Sequence, residues 1–384
     1  MKKKVLLLVV PTLRLGGQER VAVNTAAIMK EVYDTHMVIF DSGGAVYKAP
    51  CDLIDLASPA ANRKLAKQAN VLKRAVKLGN IKKRLNADFC YSFGTSANYV
   101  NLLAGGPGKR IVSFRGYATV CMKKSIERLY WKADRILCVS KLMKDALGQN
   151  NHTLSGKIEC LYNPYDIGDM VWKGDEEVED YDFSGRVIVT HGRLEEVKNH
   201  QRLIKAFYLV KEQFPDARLL IIGEGSERVR LEDLVSELGL SGSVSMIGFR
   251  RNPFAYLSKS TLYVLPSYSE GFPNSLIEGM TFLPAVSVDC KSGPREILSD
   301  GFYKKECAGI EEADYGILVK PSAKREFNRN VTEDDRLLAE AICRMLGDSS
   351  KYEKYKDEAR NRILQYSFEA YGKRLQSILE EGGK

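Results

Sequence analysis

The segment from Pro266 to Gly279 holds two glutamates, Glu270 and Glu278, separated by seven residues and preceded by a short apolar run. Glu270 falls in a loop rich in glycine and proline, where the backbone can approach a bound molecule closely. Asn274 and Ser275 are favourable helix N-cap residues, and helix N-termini attract phosphate groups. Glu278 would lie about one turn inside that helix, where a carboxylate can accept two hydrogen bonds from a vicinal diol. A ribose presents such a diol, so the segment predicts a nucleotide site.

A second polar group, residues 191–199, follows another apolar run, Val187–Thr190. Arg193 and Lys198 are predicted at the carboxyl end of a strand, where two cations can neutralise a diphosphate leaving group without a metal ion. The alternative is a pair of surface charges at a helix start. His191 borders this region and is a candidate to cap or contact a substrate.

Both polar groups belong to a chain that alternates strand and helix patterns. The first series of strands is predicted at Val5–Val10, Thr35–Phe40, Asp88–Ser92, Arg110–Ser113, Arg135–Val139 and Lys157–Leu161. The second series is predicted at Val187–Thr190, Arg218–Ile222, Ser243–Met246, Leu262–Leu265 and Ala285–Val288. Alternation of this kind predicts an α/β fold with doubly wound sheets, whose ligands bind outside the carboxyl ends of the strands.

A chain of 384 residues is too long for one ordinary core, so two domains are expected. The acidic stretch Gly174–Asp180 has no periodicity and is the best linker candidate. We predict an N-terminal domain over residues 1–165, a linker over 166–183 and a C-terminal domain over 184–365. A final helical segment, 366–384, is expected to pack back toward the N-terminal domain. The active site is expected in a cleft between the two domains.

The net charge of +9 is unevenly distributed. Residues 1–165 hold 27 Lys and Arg against 11 Asp and Glu, so the acidic excess lies in the rest of the chain. The densest basic run contains no acidic residue and comprises Arg63, Lys64, Lys67, Lys73, Arg74, Lys77, Lys82, Lys83 and Arg84. This run is either a solvated helix face or a patch for anionic lipid headgroups or a phosphate-bearing acceptor. Nucleic acid is not expected, because neither interleaved aromatic residues nor a nucleic-acid module accompanies the charge.

Other features set the compartment and the cofactors. No stretch approaches the roughly 18 apolar residues of a membrane-spanning helix, and the eight cysteines lack metal-ligand spacing. The sequence therefore predicts a cytoplasmic protein, with peripheral attachment to the inner face of the cell membrane as an option. The four histidines are dispersed, and Asp180-Tyr181-Asp182 lies in the acidic linker instead of after a strand. We therefore expect no metal and no cofactor.

The segment around Glu270 and Glu278 resembles the Glu-seven-residues-Glu motif of retaining GT-B glycosyltransferases, specifically glycosyltransferase family 4 of the bacterial polysaccharide type. The resemblance covers nearly the whole C-terminal domain and, more thinly, the N-terminal domain. It implies two Rossmann-like domains, with Glu270 at the transferred sugar and Glu278 at the ribose. It also assigns Arg193 and Lys198 to the donor diphosphate, so Arg193, Lys198 and Glu270 become the expected catalytic residues.

The resemblance extends the expected donor site. The implied donor-binding residues are Gly16, Gly17, Arg193, Lys198, Gly248, Phe249, Arg250, Glu270, Gly271, Phe272, Pro273, Asn274, Ser275, Leu276 and Glu278. Gly16-Gly17 resembles the family's loop after the first strand, and 248–250 is where members seat the nucleobase. Many members carry a histidine where this chain has Arg115, so no catalytic histidine is carried over. Three roles remain open for Arg115: it contacts the donor sugar, it contacts a phosphate of the acceptor, or it is a structural residue.

The resemblance implies a hexosyltransferase-class enzyme that moves a sugar from a nucleotide sugar, expected to be a UDP-sugar, with retention of configuration. The implied acceptor is a saccharide or a lipid-pyrophosphate-linked saccharide of bacterial capsule, exopolysaccharide or O-antigen assembly. Two alternatives remain open, a nucleotide-sugar epimerase and a catalytically silent nucleotide-sugar-binding partner. The sugar, the nucleobase, the linkage and the oligomeric state do not follow from the sequence.

Overall fold

The computed structural model describes residues 2–14, 16–60, 63–120, 129–301, 303–322 and 327–381. The chain forms two compact units. The first comprises Met1–Tyr165 together with Tyr366–Lys384, and the second comprises Asp166–Gln365. Across the described residues, no helix combines the length and the apolar character needed to cross a bilayer.

The first unit is built on a parallel sheet in the order β3-β2-β1-β4-β5-β6-β7. Its strands are β1 (Val5–Val10), β2 (Asp34–Ile39), β3 (Asp52–Asp55), β4 (Phe89–Phe93), β5 (Lys109–Phe114), β6 (Arg135–Cys138) and β7 (Ile158–Cys160). Its helices are α1 (Gly17–Met29), α2 (Lys64–Leu85), α3 (Thr95–Leu103), α4 (Tyr117–Val120) and α5 (Lys141–Asn150), and the structure also describes a 3-10 turn at His152–Lys157. Every residue of β1 is buried, as an unbroken apolar run covered on both faces requires.

The second unit has a sheet in the order β10-β9-β8-β11-β12-β14-β13, in which only the β13–β14 pair is antiparallel among the described strands. Its strands are β8 (Arg186–His191), β9 (Ala217–Ile222), β10 (Val244–Met246), β11 (Leu262–Leu265), β12 (Ala285–Val288), β13 (Ile310–Glu312) and β14 (Ile317–Val319). Its helices are α6 (Ile167–Gly174), α7 (His200–Gln213), α8 (Arg228–Glu237), α9 (Phe254–Ser258), α10 (Asn274–Met280), α11 (Gly293–Leu298), α12 (Glu333–Gly347) and α13 (Ser349–Ile363). The core of this unit packs α7 and α12 on the strands β8, β9, β11 and β14.

Two doubly wound α/β units confirm the predicted fold class. The strands β3, β13 and β14 were not predicted. β3 is short and mostly exposed between two aspartates, so it lacks the apolar run that marked the other strands. β13 and β14 have three residues each, which is too short for a periodic signal.

The predicted linker over residues 166–183 is corrected by the structure. Helix α6 occupies its first half and packs against α9 within the second unit. The Asn252 side chain donates to Lys173 O, and the Ser258 hydroxyl donates to Gly174 O, so both carbonyls at the end of α6 are satisfied. Asp180 also accepts hydrogen bonds, from Arg250 and from the Tyr256 hydroxyl. The acidic composition suggested a linker, but both ends of this segment are held by contacts within the second unit.

The last helix, α14 (Phe368–Glu380), belongs to the first unit. It buries Tyr371, Leu375, Ile378 and Leu379 in the core formed by α1 and the β1, β2 and β4 strands. The Tyr371 hydroxyl lies 2.8 Å from Thr25 Oγ1 of α1. The chain therefore returns to its first unit after completing the second.

The predicted basic patch lies on α2, and the structure buries two of its cations and draws a third partly inward. Arg74 is buried, donates to Ser58 O and stacks on the Phe40 ring. Lys77 donates to Leu56 O, and Lys82 is fully buried. The charge count did not reveal which face of the helix each cation occupies. The exposed basic residues of α2 and of the residue before it are Arg63, Lys67, Lys73, Lys83 and Arg84.

Candidate functional site

The carboxyl ends of three adjacent strands in the second unit are joined by backbone hydrogen bonds. Gly192 N donates to Ile222 O after β8, and Gly223 N donates to Gly248 O after β9 and β10. Gly223 has a φ of +152°, and a Cβ there would come within 1.8 Å of Gly192 O. Glycine at this position therefore lets the loops after β8 and β9 lie in contact, which is a packing role.

Glu270 lies in the loop after β11 and is joined to the loop after β8. Lys198 Nζ donates to Glu270 Oε1 at 2.7 Å, and the Ser267 hydroxyl donates to the same oxygen at 2.7 Å. The backbone of Glu270 is fixed to the segment after β12, since Glu270 N donates to Lys291 O and Ser292 N donates to Glu270 O. Loops from three strands thus hold one carboxylate and one ammonium group beside each other, both partly exposed.

Glu278 lies inside α10 and is almost completely buried, with 3% of its side chain exposed. Its Oε2 is 2.6 Å from Nε2 of His191, the last residue of β8. The ring of Tyr263 in β11 meets the His191 imidazole edge-on, with a centroid separation of 5.6 Å. Burial raises the pKa of the Tyr263 phenol, so this group stays protonated at neutral pH.

The segment 271–276 connects the two glutamates and is mostly buried. The Ser292 hydroxyl donates to Gly271 O at 2.7 Å, and Gly293 packs so closely that a Cβ there would meet Gly271 O at 2.9 Å. The N-cap prediction is corrected, because α10 begins at Asn274 and its N-cap position is Pro273. Asn274 and Ser275 therefore lie in the first turn, and within the described part of the chain no side chain forms a capping hydrogen bond with this helix.

The remaining predicted donor residues of this unit lie at the same edge of the sheet. Arg193 is exposed, and its side chain makes no hydrogen bond or ion pair within the part of the chain that the structure describes. Phe249 is 50% exposed beside Gly248, whose φ is +78°. Arg250 is engaged instead, since it donates to the Tyr256 hydroxyl and to Asp180. Among the described residues, no group of His, Cys, Asp and Glu is arranged to hold a metal ion.

The first unit places its predicted residues at the carboxyl ends of its own strands. Gly16 is the N-cap of α1, and Gly17 is its first residue. Arg115 follows β5, donates to Asn163 Oδ1 and lies over the Phe93 ring. No carboxylate of the described chain forms an ion pair with Arg115, so its half-buried positive charge is oriented but not neutralised.

The structure therefore brings Glu270 to Lys198, and it brings Glu278 to His191. It places Arg193 in contact with neither glutamate. The sequence did not predict two contacts, that of the Ser267 hydroxyl with Glu270 and that of the His191 imidazole with Glu278. Ser267 lies three residues before Glu270, a spacing at which serine side chains form local bonds, and His191 directly precedes the Gly192-Arg193 pair.

Comparison with known proteins gives the following matches. Residues 176–362 match the family model described as glycosyl transferases group 1. An uncharacterized glycosyltransferase of Methanocaldococcus jannaschii is 31% identical over 59% of this chain, and the alignment spans 58% of that relative's length. The N-acetylgalactosamine-N,N'-diacetylbacillosaminyl-diphospho-undecaprenol 4-alpha-N-acetylgalactosaminyltransferase of Campylobacter jejuni is 28% identical over 90% of this chain and 91% of its own length.

Solved structures share the fold over almost the whole chain. A glycosyltransferase from Rickettsia africae superposes with a TM-score of 0.77 at 18% identity and covers 99% of both chains. The Anabaena protein HepE, solved in complex with UDP, superposes with a TM-score of 0.72 at 17% identity over 98% of this chain and 99% of its own.

Proposed function

We propose that this chain, a glycosyltransferase with the GT-B fold, uses a UDP-sugar as donor and transfers the sugar with retention of its anomeric configuration. The observation that carries the proposal is the pairing of Glu270 with Lys198, beside the chain segment that leads to Glu278. These groups sit at the carboxyl ends of adjacent parallel strands, where ligands of such sheets bind. The UDP complex of the structurally similar Anabaena protein supports uracil as the nucleobase to test first.

In this proposal each charged group has one task. Glu270 accepts hydrogen bonds from hydroxyls of the transferred sugar, and Glu278 accepts them from the ribose. Arg193 and Lys198 stabilise the diphosphate as its negative charge develops, which is the electrostatic contribution that most often dominates catalysis. The acceptor hydroxyl attacks from the face of the leaving group and gives its proton to the diphosphate, so no side chain acts as a nucleophile. The same two cations replace a metal ion, and activity should persist after treatment with EDTA.

The donor site is tested by thermal stabilisation with UDP, GDP, ADP and their sugar conjugates. A ligand at 100 times its Kd should stabilise the protein by about 2.7 kcal/mol. We expect a shift with uridine nucleotides that is lost in Glu278→Ala and kept in Glu237→Ala, a substitution of an exposed glutamate in α8. Equal shifts with all three nucleotides, or an undiminished shift in Glu278→Ala, would contradict the proposed site.

Kinetics separate the roles of the two kinds of residue. Lys198→Ala should lower kcat by roughly 100-fold, because an interaction aimed at the developing charge is removed. Glu278→Ala should chiefly raise the donor KM. Lys259→Ala, at an exposed lysine of the same unit, serves as the control. NMR of the product reports the anomeric configuration, and an inverted product would overturn the retaining assignment.

We further propose that the acceptor is a saccharide on a lipid diphosphate and that α2 rests on an anionic membrane surface. Leu65, Leu72 and Val76 are 80%, 60% and 66% exposed, and their spacing places them on one face of α2. The exposed Lys73 and Lys83 lie on the helix with this stripe, and α2 contains no acidic residue. An apolar stripe with basic residues and no acid is the pattern of a helix that lies in a membrane interface. The Campylobacter relative, whose name specifies a diphospho-undecaprenol acceptor, supports the same acceptor class.

Binding to liposomes of stated composition tests this surface. Liposomes that contain about 30% anionic phospholipid should retain the protein at low salt, and retention should fall as salt screens the charges. Leu72→Asp and the double substitution Lys73→Glu/Lys83→Glu should each weaken binding. Val229→Asp, at a 67% exposed valine of α8, is the matched control. Equal retention of all variants would rule out α2 as the membrane contact.

A further inference from the structure

The histidine at the end of β8 forms a short contact with a buried carboxylate. His191 Nε2 lies 2.6 Å from Glu278 Oε2, and the two side chains are 9% and 3% exposed. An ionised carboxylate only accepts hydrogen bonds, so Nε2 carries the hydrogen in this contact. The other ring nitrogen, Nδ1, is buried and has no hydrogen-bond partner among the described residues. Among the described residues, the imidazole therefore makes its side-chain polar contact through the nitrogen that faces Glu278.

Packing leaves both members of this pair little freedom. The Tyr263 ring lies edge-on to the imidazole, and Gly279 packs against the same ring, where a Cβ would come within 2.2 Å of Cγ. Gly279 directly follows Glu278 in α10, so the helix is held against β11 at the position of the glutamate. His191 itself ends a central strand that is hydrogen-bonded on both sides. The donor nitrogen thus has a fixed position relative to the carboxylate.

We propose that His191 is a positioning residue that holds the Glu278 carboxylate in the orientation that receives the ribose diol. The proposal rests on the assignment of Glu278 to the ribose. A buried carboxylate that loses a hydrogen-bond donor either rotates or takes up a proton. Each change leaves the carboxylate less able to accept hydrogen bonds from the diol. His191 thereby contributes to selection of ribonucleotides without touching the nucleotide.

The experiment compares binding of UDP and 2′,3′-dideoxy-UDP by calorimetry, because only UDP presents the diol. The variants are His191→Phe, which removes the donor, His191→Gln, which keeps an N–H, and Glu278→Gln. His36→Phe is the matched control, since His36 is another buried histidine that faces carboxylates, those of Asp34 and Asp52 in the first unit. Thermal unfolding of each variant without ligand confirms that it is folded.

We expect His191→Phe to bind UDP about tenfold more weakly or worse, a loss of about 1.4 kcal/mol, and to bind the dideoxy analogue as the unmodified protein does. His191→Gln should recover part of the loss. Adding His191→Phe to Glu278→Gln should cause no further loss, because both act on one contact. In turnover, the substitution should raise the donor KM by a larger factor than it lowers kcat.

Two results would overturn the positioning role while the donor site stands. One is that His191→Phe loses affinity equally for both nucleotides, and the other is that it loses affinity for neither. In each case the donor site stands if Glu278→Gln discriminates between UDP and the dideoxy analogue less than the unmodified protein does. If the unmodified protein binds UDP and its dideoxy analogue equally, the ribose assignment of Glu278 fails, and the role of His191 fails with it.

Discussion

The buried cations of this chain differ in whether they have hydrogen-bond partners. Arg295 is 2% exposed, and its guanidinium bonds the carboxylates of Asp289 and Glu311. Arg202 is also 2% exposed and donates to the carbonyl oxygens of Lys320 and Asp334. Lys82 is the contrasting case, because its ammonium nitrogen is buried without a hydrogen-bond partner in the described chain. An unpaired buried charge costs far more than a paired one.

Lys82→Met is therefore expected to stabilise the protein by about 1 kcal/mol or more at neutral pH. Burial lowers the pKa of Lys82 below its usual value of 10.5, so the unfolded chain binds this proton more tightly than the folded one. Stability of the unmodified protein should then rise with pH until the unfolded lysine also loses its proton. The advantage of Lys82→Met should shrink accordingly as the pH rises through that range.

Urea unfolding at several pH values measures both effects. Lys83→Met is the control, since Lys83 is the exposed neighbour in the same helix and its substitution should change stability by no more than about 0.5 kcal/mol. A destabilised Lys82→Met protein, or an advantage that does not depend on pH, would contradict the argument.

At the scale of elements, α10 shows how a glycine positions Glu278, a side chain of the candidate site. Gly279 lies against the face of Tyr263 in β11, and the next residue toward the N-terminus is Glu278. Any larger residue at 279 must push the helix away from the strand or displace the buried ring. The distance between Glu278 and His191 depends on this close approach.

Gly279→Ala should destabilise the protein by about 1–3 kcal/mol, the usual cost of overpacking a filled core. It should also weaken nucleotide binding, because the displaced helix carries Glu278. Gly242→Ala is the matched control, since a Cβ at Gly242 meets no atom within 4 Å. Thermal unfolding with and without UDP measures both quantities. A variant with unchanged stability would show that the ring yields without cost, and the positional argument would then be wrong.

Elements with long, unbroken apolar runs could be predicted closely, and others could not. The predicted strands Val5–Val10, Leu262–Leu265 and Ala285–Val288 coincide with β1, β11 and β12. The buried face of α2 was not predicted, because a run of lysines and arginines gives no apolar period that would place Arg74 and Lys82 inside. In the same way, residue spacing located Glu270 and Glu278 after β11, but the contact of Glu278 with His191 depends on how two distant segments pack.

At the scale of the whole molecule, the two ends of the chain are joined in one unit. Lys4 forms an ion pair with Glu380, and the Tyr33 hydroxyl donates to the same carboxylate. Lys109 donates to Leu379 O at 3.1 Å. The first unit therefore cannot complete its core until the last helix, α14, has been synthesised, whereas all of the second unit precedes that helix in the chain.

Leu375→Ala, in the middle of α14, should consequently destabilise the first unit by about 2–5 kcal/mol. Leu375 is fully buried against the core of that unit and makes no contribution to the core of the second. Hydrogen exchange followed by mass spectrometry resolves the two units peptide by peptide. Protection should fall in β1, β2, β4 and α1, while the strands of the second unit keep theirs, and the stabilisation by UDP that we propose for the unmodified protein should persist.

Lys373→Ala provides the control for this substitution, because Lys373 is 76% exposed in the same helix and pairs with Glu369 one turn away. It should leave exchange in both units unchanged apart from local effects in α14. If Leu375→Ala lowers protection in β8 and β11 as much as in β1, the two units unfold as a single cooperative body. The nucleotide would then stabilise the first unit as strongly as the second, because ligand binding stabilises whatever must be folded to bind it.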